Sequence, residues 1–306
     1  MTTKSLHSGY SACSLRKWIN RNKIGYIFIF LPLLLYAIFF LYPFVKTIYL
    51  SLVEWRGLGP KVFVGFDNYI RAIRDSMVWY SLSHNLIWVV VGTILPISIG
   101  LLLAVLLWSK KTKGLLFFRT VYFMPVVLSA VIISLIWRWI YNPTFGMLNQ
   151  ILKAVGLDFL IQGWLSNPHI ALYSVLVAAI WAHFGFCLVI FLAGLQNVDL
   201  ELINAAELDG ANFWQKFIHV IIPQISNVFT MVVSISIIGG FGVFDLVFVM
   251  TKTGPGQSTE TIGTYIYKQS FTLEAVGYGA SLCVMLTLII LLVTVIFLKI
   301  RERTEV

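Results

Sequence analysis

Charge is what this chain has least of. Asp, Glu, Lys and Arg make up only 11% of its 306 residues, where soluble domains carry about a quarter. Hydrophobic residues make up 59%, and the mean hydropathy is +0.88. A water-soluble globule is excluded, and the solvent is a lipid bilayer. The short alternating segments of a membrane β-barrel are missing too. In their place are uninterrupted apolar runs of twenty residues or more, the length a helix needs to cross about 30 Å of hydrocarbon. Cysteine is limited to Cys13, Cys187 and Cys283, each alone, so there is no disulfide frame and no metal-ligand spacing. No GxxxxGK(S/T) phosphate loop occurs, so ATP is not bound by this chain. The five histidines, His7, His84, His169, His183 and His219, are dispersed, and no nucleophile and base pair off, which argues against a membrane enzyme. An ion-driven secondary transporter would show several intramembrane acids or an internal repeat, and neither is found.

Acids are also missing locally. Residues 1 to 23 hold Lys4, Arg16, Lys17, Arg21 and Lys23 without one, and Lys110, Lys111, Lys113 and Arg119 form a second acid-free cluster. Such clusters mark cytoplasmic flanks and anionic lipid rather than nucleic acid. The run from Ile24 is too long for a signal-peptide core and lacks a small-residue cleavage site, so it stays as an anchor. Ser11-Ala12-Cys13 precedes that run, which excludes a lipoprotein leader. The predicted architecture is all-α and polytopic, with six spans and both termini cytoplasmic. The spans are Ile24 to Val45, Leu86 to Trp108, Leu115 to Ile140, Ile170 to Leu195, Ile222 to Met250 and Tyr278 to Ile300. Residues 1–23 and 301–306 form the cytoplasmic ends of a 24–300 membrane domain. Pro32 is expected to kink the first span, and Pro43 with Lys46 to mark its outer end. Residues 53 to 83 and 142 to 169 read as external segments, the latter with a short helix around Leu148 to Val155. Gly239, Gly240 and Gly242 permit a kink or an unwound turn in the fifth span.

The inferred inner segments carry thirteen of the 22 basic residues. The inner segment Asp199 to Pro223 runs against that bias, with Lys216 alone. Its local signals are strong. Asp199 can cap a short helix that Gly210 ends in the left-handed region. Asn212 and Gln215 resemble a capping box, with Phe213, Phe217 and Ile221 spaced four apart behind it. The small residues Ala205, Ala206, Gly210 and Ala211 let another surface approach closely, with Glu207 and Asp209 at the edges. Spacing alone leaves two readings open, a docking knob and an amphipathic interfacial loop without a partner.

Asn204-Ala-Ala-Glu-Leu-Asp-Gly-Ala211, followed by Phe217, Ile221 and Pro223, closely resembles the EAA signature of ABC importer permeases. Phe191-Leu-Ala-Gly-Leu-Gln196, Val64-Gly-Phe-Asp-Asn-Tyr69, Phe118-Arg-Thr-Val-Tyr-Phe-Met-Pro125, Phe244-Asp245 and Thr251-Lys-Thr-Gly-Pro255 resemble its carbohydrate, maltose-type branch. The resemblance covers about residues 25 to 300. It implies a type I importer permease fold in the cytoplasmic membrane of a bacterium or archaeon. Residues 200 to 211 would be the coupling helix, with Asn204, Ala205, Ala206, Glu207, Asp209, Gly210, Ala211, Phe217 and Pro223 as coupling residues. It further implies a second homologous permease, two ATPase subunits that hold the ATP and Mg²⁺, and an extracytoplasmic sugar-binding protein. This chain departs from the signature at Asn204, where the family usually has glutamate. An amide can still hydrogen-bond there but cannot form a salt bridge, and Glu207 is the candidate substitute.

For the solute path, Gly240, Phe241, Phe244 and Asp245 are the candidates. Asp245 is the only ionisable residue in the fifth span, and Phe241 is placed one turn before it on the same face, an aromatic plane beside a carboxylate. Asp245 at the outer interface with no solute role is the competing reading. His183 reads as a packed, hydrogen-bonded neutral residue ahead of a proton relay. Asn85 and Gln196 read as caps or helix-contact groups. The deepest cations, Lys46 and Arg138, both sit at outer ends. An uncharged oligosaccharide is therefore favoured over a phosphorylated polyol such as glycerol phosphate, which would want paired cations in the pore.

Overall fold

The computed structural model describes residues 23–108 and 114–304. The basic clusters at residues 1–22 and Lys110, Lys111 and Lys113 lie outside the described residues, as does the end of the expected tail. The first helical stretch runs through α1 (Lys23–Tyr36), a π-helical turn (Ala37–Leu41) and α2 (Tyr42–Ser51). Pro32 lies within α1, and contrary to expectation the helix does not end near Pro43 but continues to Ser51. The irregularity is the wide turn, in which the Tyr42 N–H reaches back to the Ala37 carbonyl. Proline lacks an N–H and its ring collides with the carbonyl four residues back. A widened turn just before Pro43 makes room for the ring and lets the helix continue.

The first polar segment folds as a two-stranded antiparallel hairpin, β1 (Val53–Glu54) and β2 (Val62–Phe63), followed by α3 (Asp67–Arg74). Asn68, buried, donates to the Ser51 and Val53 carbonyls at 3.0 Å each and ties α3 to the hairpin. Next comes α4 (Ser76–Trp108), which starts ten residues before the expected span. At 33 residues it is about 50 Å long, more than hydrocarbon requires, so its first turns stand clear and pack on polar elements.

The third apolar run is two helices, α5 (Leu115–Val127) and α6 (Ala130–Ile140), bent by 99°. Leu128 is extended, and Ser129 caps α6, its Oγ accepting the Ile132 N–H at 3.4 Å. A serine at the head of an apolar run is a start signal, here placed where a single span was expected. The short helix expected around Leu148 is α7 (Met147–Ala154), and α8 (Ala171–Leu195) matches the fourth span. The polar segment holds α9 (Leu200–Leu208), α10 (Phe213–Lys216), a second π-helical turn (Phe217–Ile221) and α11 (Ile222–Gln224). The fifth run is α12 (Ser226–Phe241) and α13 (Asp245–Thr251), separated at the glycine cluster as expected. Then come α14 (Ile262–Tyr267), a third π-helical turn (Lys268–Thr272) and α15 (Val276–Thr304). Among the described residues, four helices are long and apolar enough to cross a membrane, or up to six if each bent pair counts as one span.

The core lies along the α4–α8 crossing, continued by α12. Phe191, Leu188 and Leu195 are fully buried there against Ile97, Ala104 and Leu107 of α4 and Val232 of α12. Lipid tails are as apolar as leucine, so close backbone approach rather than expulsion of water holds such helices together. Gly100 provides it, since a Cβ there would lie 2.6 Å from the Cys187 Cβ. Gly185 on α8 likewise faces the Tyr122 carbonyl of α5 with no room for a methyl. Overpacking such a crossing costs about 1–3 kcal/mol. Gly100→Val is therefore expected to lower the thermal midpoint of the detergent-purified protein, measured against Gly25→Val, whose position has nothing within 4 Å.

Candidate functional site

The segment between α8 and α12 is built from local caps. The Asp199 Oδ1 accepts the Glu201 N–H at 2.8 Å, and the Asp199 N–H is held by the Gln224 side chain at 2.8 Å, which closes the base of the loop. At the far end of α9 the Gly210 N–H bonds to the Glu207 carbonyl and the Ala211 N–H to the Ala206 carbonyl. Gly210 has φ +81°. Together these bonds form the reciprocal Schellman closure that a left-handed glycine allows. Asn212 and Gln215 cap each other's backbone at 2.8 and 2.9 Å, so the capping box forms. Phe213 stacks on Phe217 with centroids 6.1 Å apart. The expected continuous helix from Asn212 to Pro223 is instead interrupted by the π-helical turn, whose offset from Pro223 equals that of the first from Pro43.

Within this unit no side chain of α9 is buried. Ile203 and Phe217 pack against the α4–α8 core, and Ile221 is buried in it. Asn204, Ala205, Asp209, Gly210 and Pro223 are exposed, while Ala206 and Ala211 are half-buried. Leu208 is 90% exposed and Trp214 65%. A Cβ at Gly210 would meet nothing within 4 Å, so the close approach must come from outside the chain. Glu207 pairs with Lys216 at 2.9 Å, a bridge between α9 and α10. The carboxylate considered as a stand-in for the missing glutamate at Asn204 is thus engaged within the chain.

The solute-path candidates do not come together. Gly240 lies against Val89 of α4, and Phe241 is 3% exposed in the packing with Val89 and Ile237. The helix then stops, and Asp245 opens α13 as an exposed residue. The expected pairing of Phe241 with Asp245 on one helical face fails because the chain is unwound between them. Asn85, fully buried, spans that break. Its Nδ2 donates to the Phe241 carbonyl at 2.9 Å and to that of Gly240 at 3.3 Å, and its Oδ1 accepts the Ile262 N–H at 2.7 Å. Orphan carbonyls at the end of α12 and an orphan N–H at the start of α14 are satisfied by one side chain. Phe244 instead joins Phe248, Tyr267 and Phe271 in a row with centroids 4.9–5.4 Å apart. Sequence spacing could not reveal that row, since its members come from α13 with its N-cap, α14 and the third π-helical turn.

A cavity of about 390 Å³ opens where the two broken spans meet, lined by Trp88, Gly92, Leu128, His183, Ser236 and Gly240 among others. None of its lining residues is Asp, Glu, Lys or Arg. His183 Nε2 lies 3.1 Å from the Ser236 Oγ, a hydrogen-bonded histidine as the sequence suggests.

At the hairpin end of the bundle two carboxyls have opposite environments. Burial would raise Asp75, but hydrogen bonds from Tyr265 (2.6 Å), Tyr278 (2.7 Å) and the Met77 N–H, helped by the Arg71 charge, bring it below its ordinary value. Glu260 is wholly buried, both carboxyl oxygens lack a hydrogen bond, and the only cation near is Lys268 at 3.9 Å. Burial pushes it up, and Lys268 offsets this only in part. A carboxyl raised on folding costs nothing below its unfolded value near 4.5 and destabilises as pH rises past it. Glu260→Gln is therefore expected to raise the thermal midpoint by about 2–4 °C at pH 7, the gain vanishing below about pH 4.5. Melting curves across that range check it.

The long apolar helices, two of their runs broken around a shared cavity, describe a multi-pass membrane protein. Residues 96–305 match the family "Binding-protein-dependent transport system inner membrane component", and the chain belongs to that family, whose members are transport subunits and not enzymes. It is 34% identical over 284 residues to the probable ABC transporter permease protein YurN of Bacillus subtilis (strain 168), covering 92% of this chain and 97% of that protein. It is 33% identical over 303 residues to the arabinooligosaccharides transport system permease protein AraP of the same organism, covering 97% and 96%. In fold it superposes with a TM-score of 0.83, at 20% identity, on a chain of a bacterial ABC transporter involved in the import of the acidic polysaccharide alginate, covering 95% of this chain and 99% of that one.

Proposed function

We propose that this chain is one of two permease halves of an ATP-driven importer of uncharged oligosaccharides. It sits in the cytoplasmic membrane of a bacterium or archaeon with six spans and both termini inside. The observation that carries the coupling is α9, a short helix fixed by caps at both ends yet burying no side chain of its own. Leu208 and Trp214 present a large apolar surface beyond the bundle, and such surface marks a docking site. Its occupant is a cytoplasmic ATPase, two copies serving the two permeases and holding the ATP and Mg²⁺. Asn204, Ala205, Asp209 and Gly210 face that partner directly, and Phe217 and Ile221 anchor the knob to the core. Closure of the ATPase dimer carries the knob, and the knob turns α8 and α12 about the cavity.

The cavity's want of charged side chains supports an uncharged solute over a phosphorylated one. Gly240 lines it, and Phe244 and Asp245 stand at its outer side, where a sugar delivered by an extracytoplasmic binding protein would enter. Leu208→Glu leaves every described contact of the fold in place, since the side chain is 90% exposed. In a reconstituted system it is expected to lower sugar-stimulated ATP hydrolysis and uptake about tenfold or more, as loss of a docking hot spot does, with unchanged amounts of the chain in the membrane. Wild-type uptake by Leu208→Glu would refute the docking.

A further inference from the structure

A second pocket lies at the hairpin end, apart from the central cavity, which the proposed topology puts outside the membrane. It measures about 580 Å³, within the range of small-molecule sites. Its walls come from the hairpin, α3 and the third π-helical turn. The Arg71 guanidinium stacks over Tyr278 at 4.1 Å and the Lys61 ammonium over Trp55 at 4.6 Å. Tyr278 is 2% exposed and offers a ligand no face, whereas half-buried Trp55 keeps at most one. Glu54, Arg56, Asp67 and Arg71 stand exposed around the rim, and with Lys61 over Trp55 the site holds two acids against three bases, charges of both signs.

Two of the lining residues hold polar atoms that the fold leaves unused. Gln269 is 5% exposed and its Oε1 has no partner, and the Trp55 Nε1–H has none either. A buried acceptor and a buried donor without partners are expensive in a folded chain. Nothing else in the hairpin needs them there. Asn68, the neighbouring polar side chain, is by contrast fully occupied in holding α3 to the hairpin.

An inorganic anion or a cation would call for groups of a single sign. Donors and acceptors side by side, an aromatic wall and charges of both signs fit a ligand that is itself donor and acceptor at every position. We propose that this pocket binds a neutral saccharide unit, a capture site on the permease separate from the membrane path. It rests on the sugar-importer reading and names where the permease itself can hold that solute outside its membrane path. Trp55 Nε1–H and the two arginines donate to hydroxyls, Gln269, Glu54 and Asp67 accept from them, and the free face of Trp55 takes the C–H side of the sugar.

The purified chain in lipid nanodiscs, titrated calorimetrically with lactose, maltotriose and arabinotriose and with the acidic trigalacturonate, tests this. At least one neutral sugar is expected to bind and trigalacturonate not to. Trp55→Phe, which keeps an aromatic ring, and Glu54→Gln should each weaken that binding about tenfold without shifting the melting temperature, while Asp158→Asn, at an exposed position outside both cavities, should not weaken it. Unchanged affinity in Trp55→Phe and Glu54→Gln overturns the site, as does binding of trigalacturonate in place of the neutral sugars. Absence of binding by all four sugars overturns it too. If ATP-driven uptake of a neutral oligosaccharide persists in that case, the importer reading stands without this site.

Discussion

In a bilayer, backbone N–H and C=O groups find no water, so every break in a helix must be closed by the protein itself. This constraint explains most of what departs from six straight rods. Asn85 closes the break between α12 and α14 with three hydrogen bonds, and Ser129 starts α6 after the bend from α5. Two prolines, Pro43 and Pro223, are each preceded by a turn of π-helix that keeps the backbone bonded through Tyr42 and Ile222. The breaks are not defects around a core. The two at Leu128 and after Gly240 stand where the cavity lies, and irregular backbone at membrane depth is tolerated where it lines one.

The same economy shapes the other end of the molecule. In the segment from Asp199 to Gln224, α9 and α10 are capped by residues of the segment itself. In the proposed coupling role such a unit carries force without absorbing it by bending. The Gly210 closure, the Asn212–Gln215 box, the Gln224 tie and the Glu207–Lys216 bridge supply that stiffness jointly. The bridge is weak by itself, because Glu207 is largely in solvent. Small residues at Gly100 and Gly185 then let α8, which carries the knob, lie close on α4 and α5.

Local chemistry made the knob readable: a cap, a glycine and a capping box each declare themselves within three or four residues. The apolar runs disclosed the membrane and the approximate spans for the same reason. Helix continuity was harder. Leu115 to Ile140 is apolar apart from Arg119, Arg138, one threonine and two serines, and the local mark of the interruption at Leu128 is the Ser129 cap, a serine that an apolar span also accommodates. Asp245 looked like an intramembrane acid because the chain was read as one helix past Phe241; the glycines announced a break, but not how far it would turn the next residues. Asn85 was legible as a capping or helix-contact residue, while its partners lie more than 150 residues away and follow from tertiary structure alone.

The central claim is that α9 stands on the cytoplasmic side and is covered by an ATPase. It is tested most directly with Leu208→Cys in a chain whose Cys13, Cys187 and Cys283 have been replaced. A membrane-impermeant maleimide should label it in inside-out vesicles alone, and assembly with the ATPase should protect it. Labelling in right-side-out vesicles, or labelling unaffected by the assembled ATPase, would contradict the account.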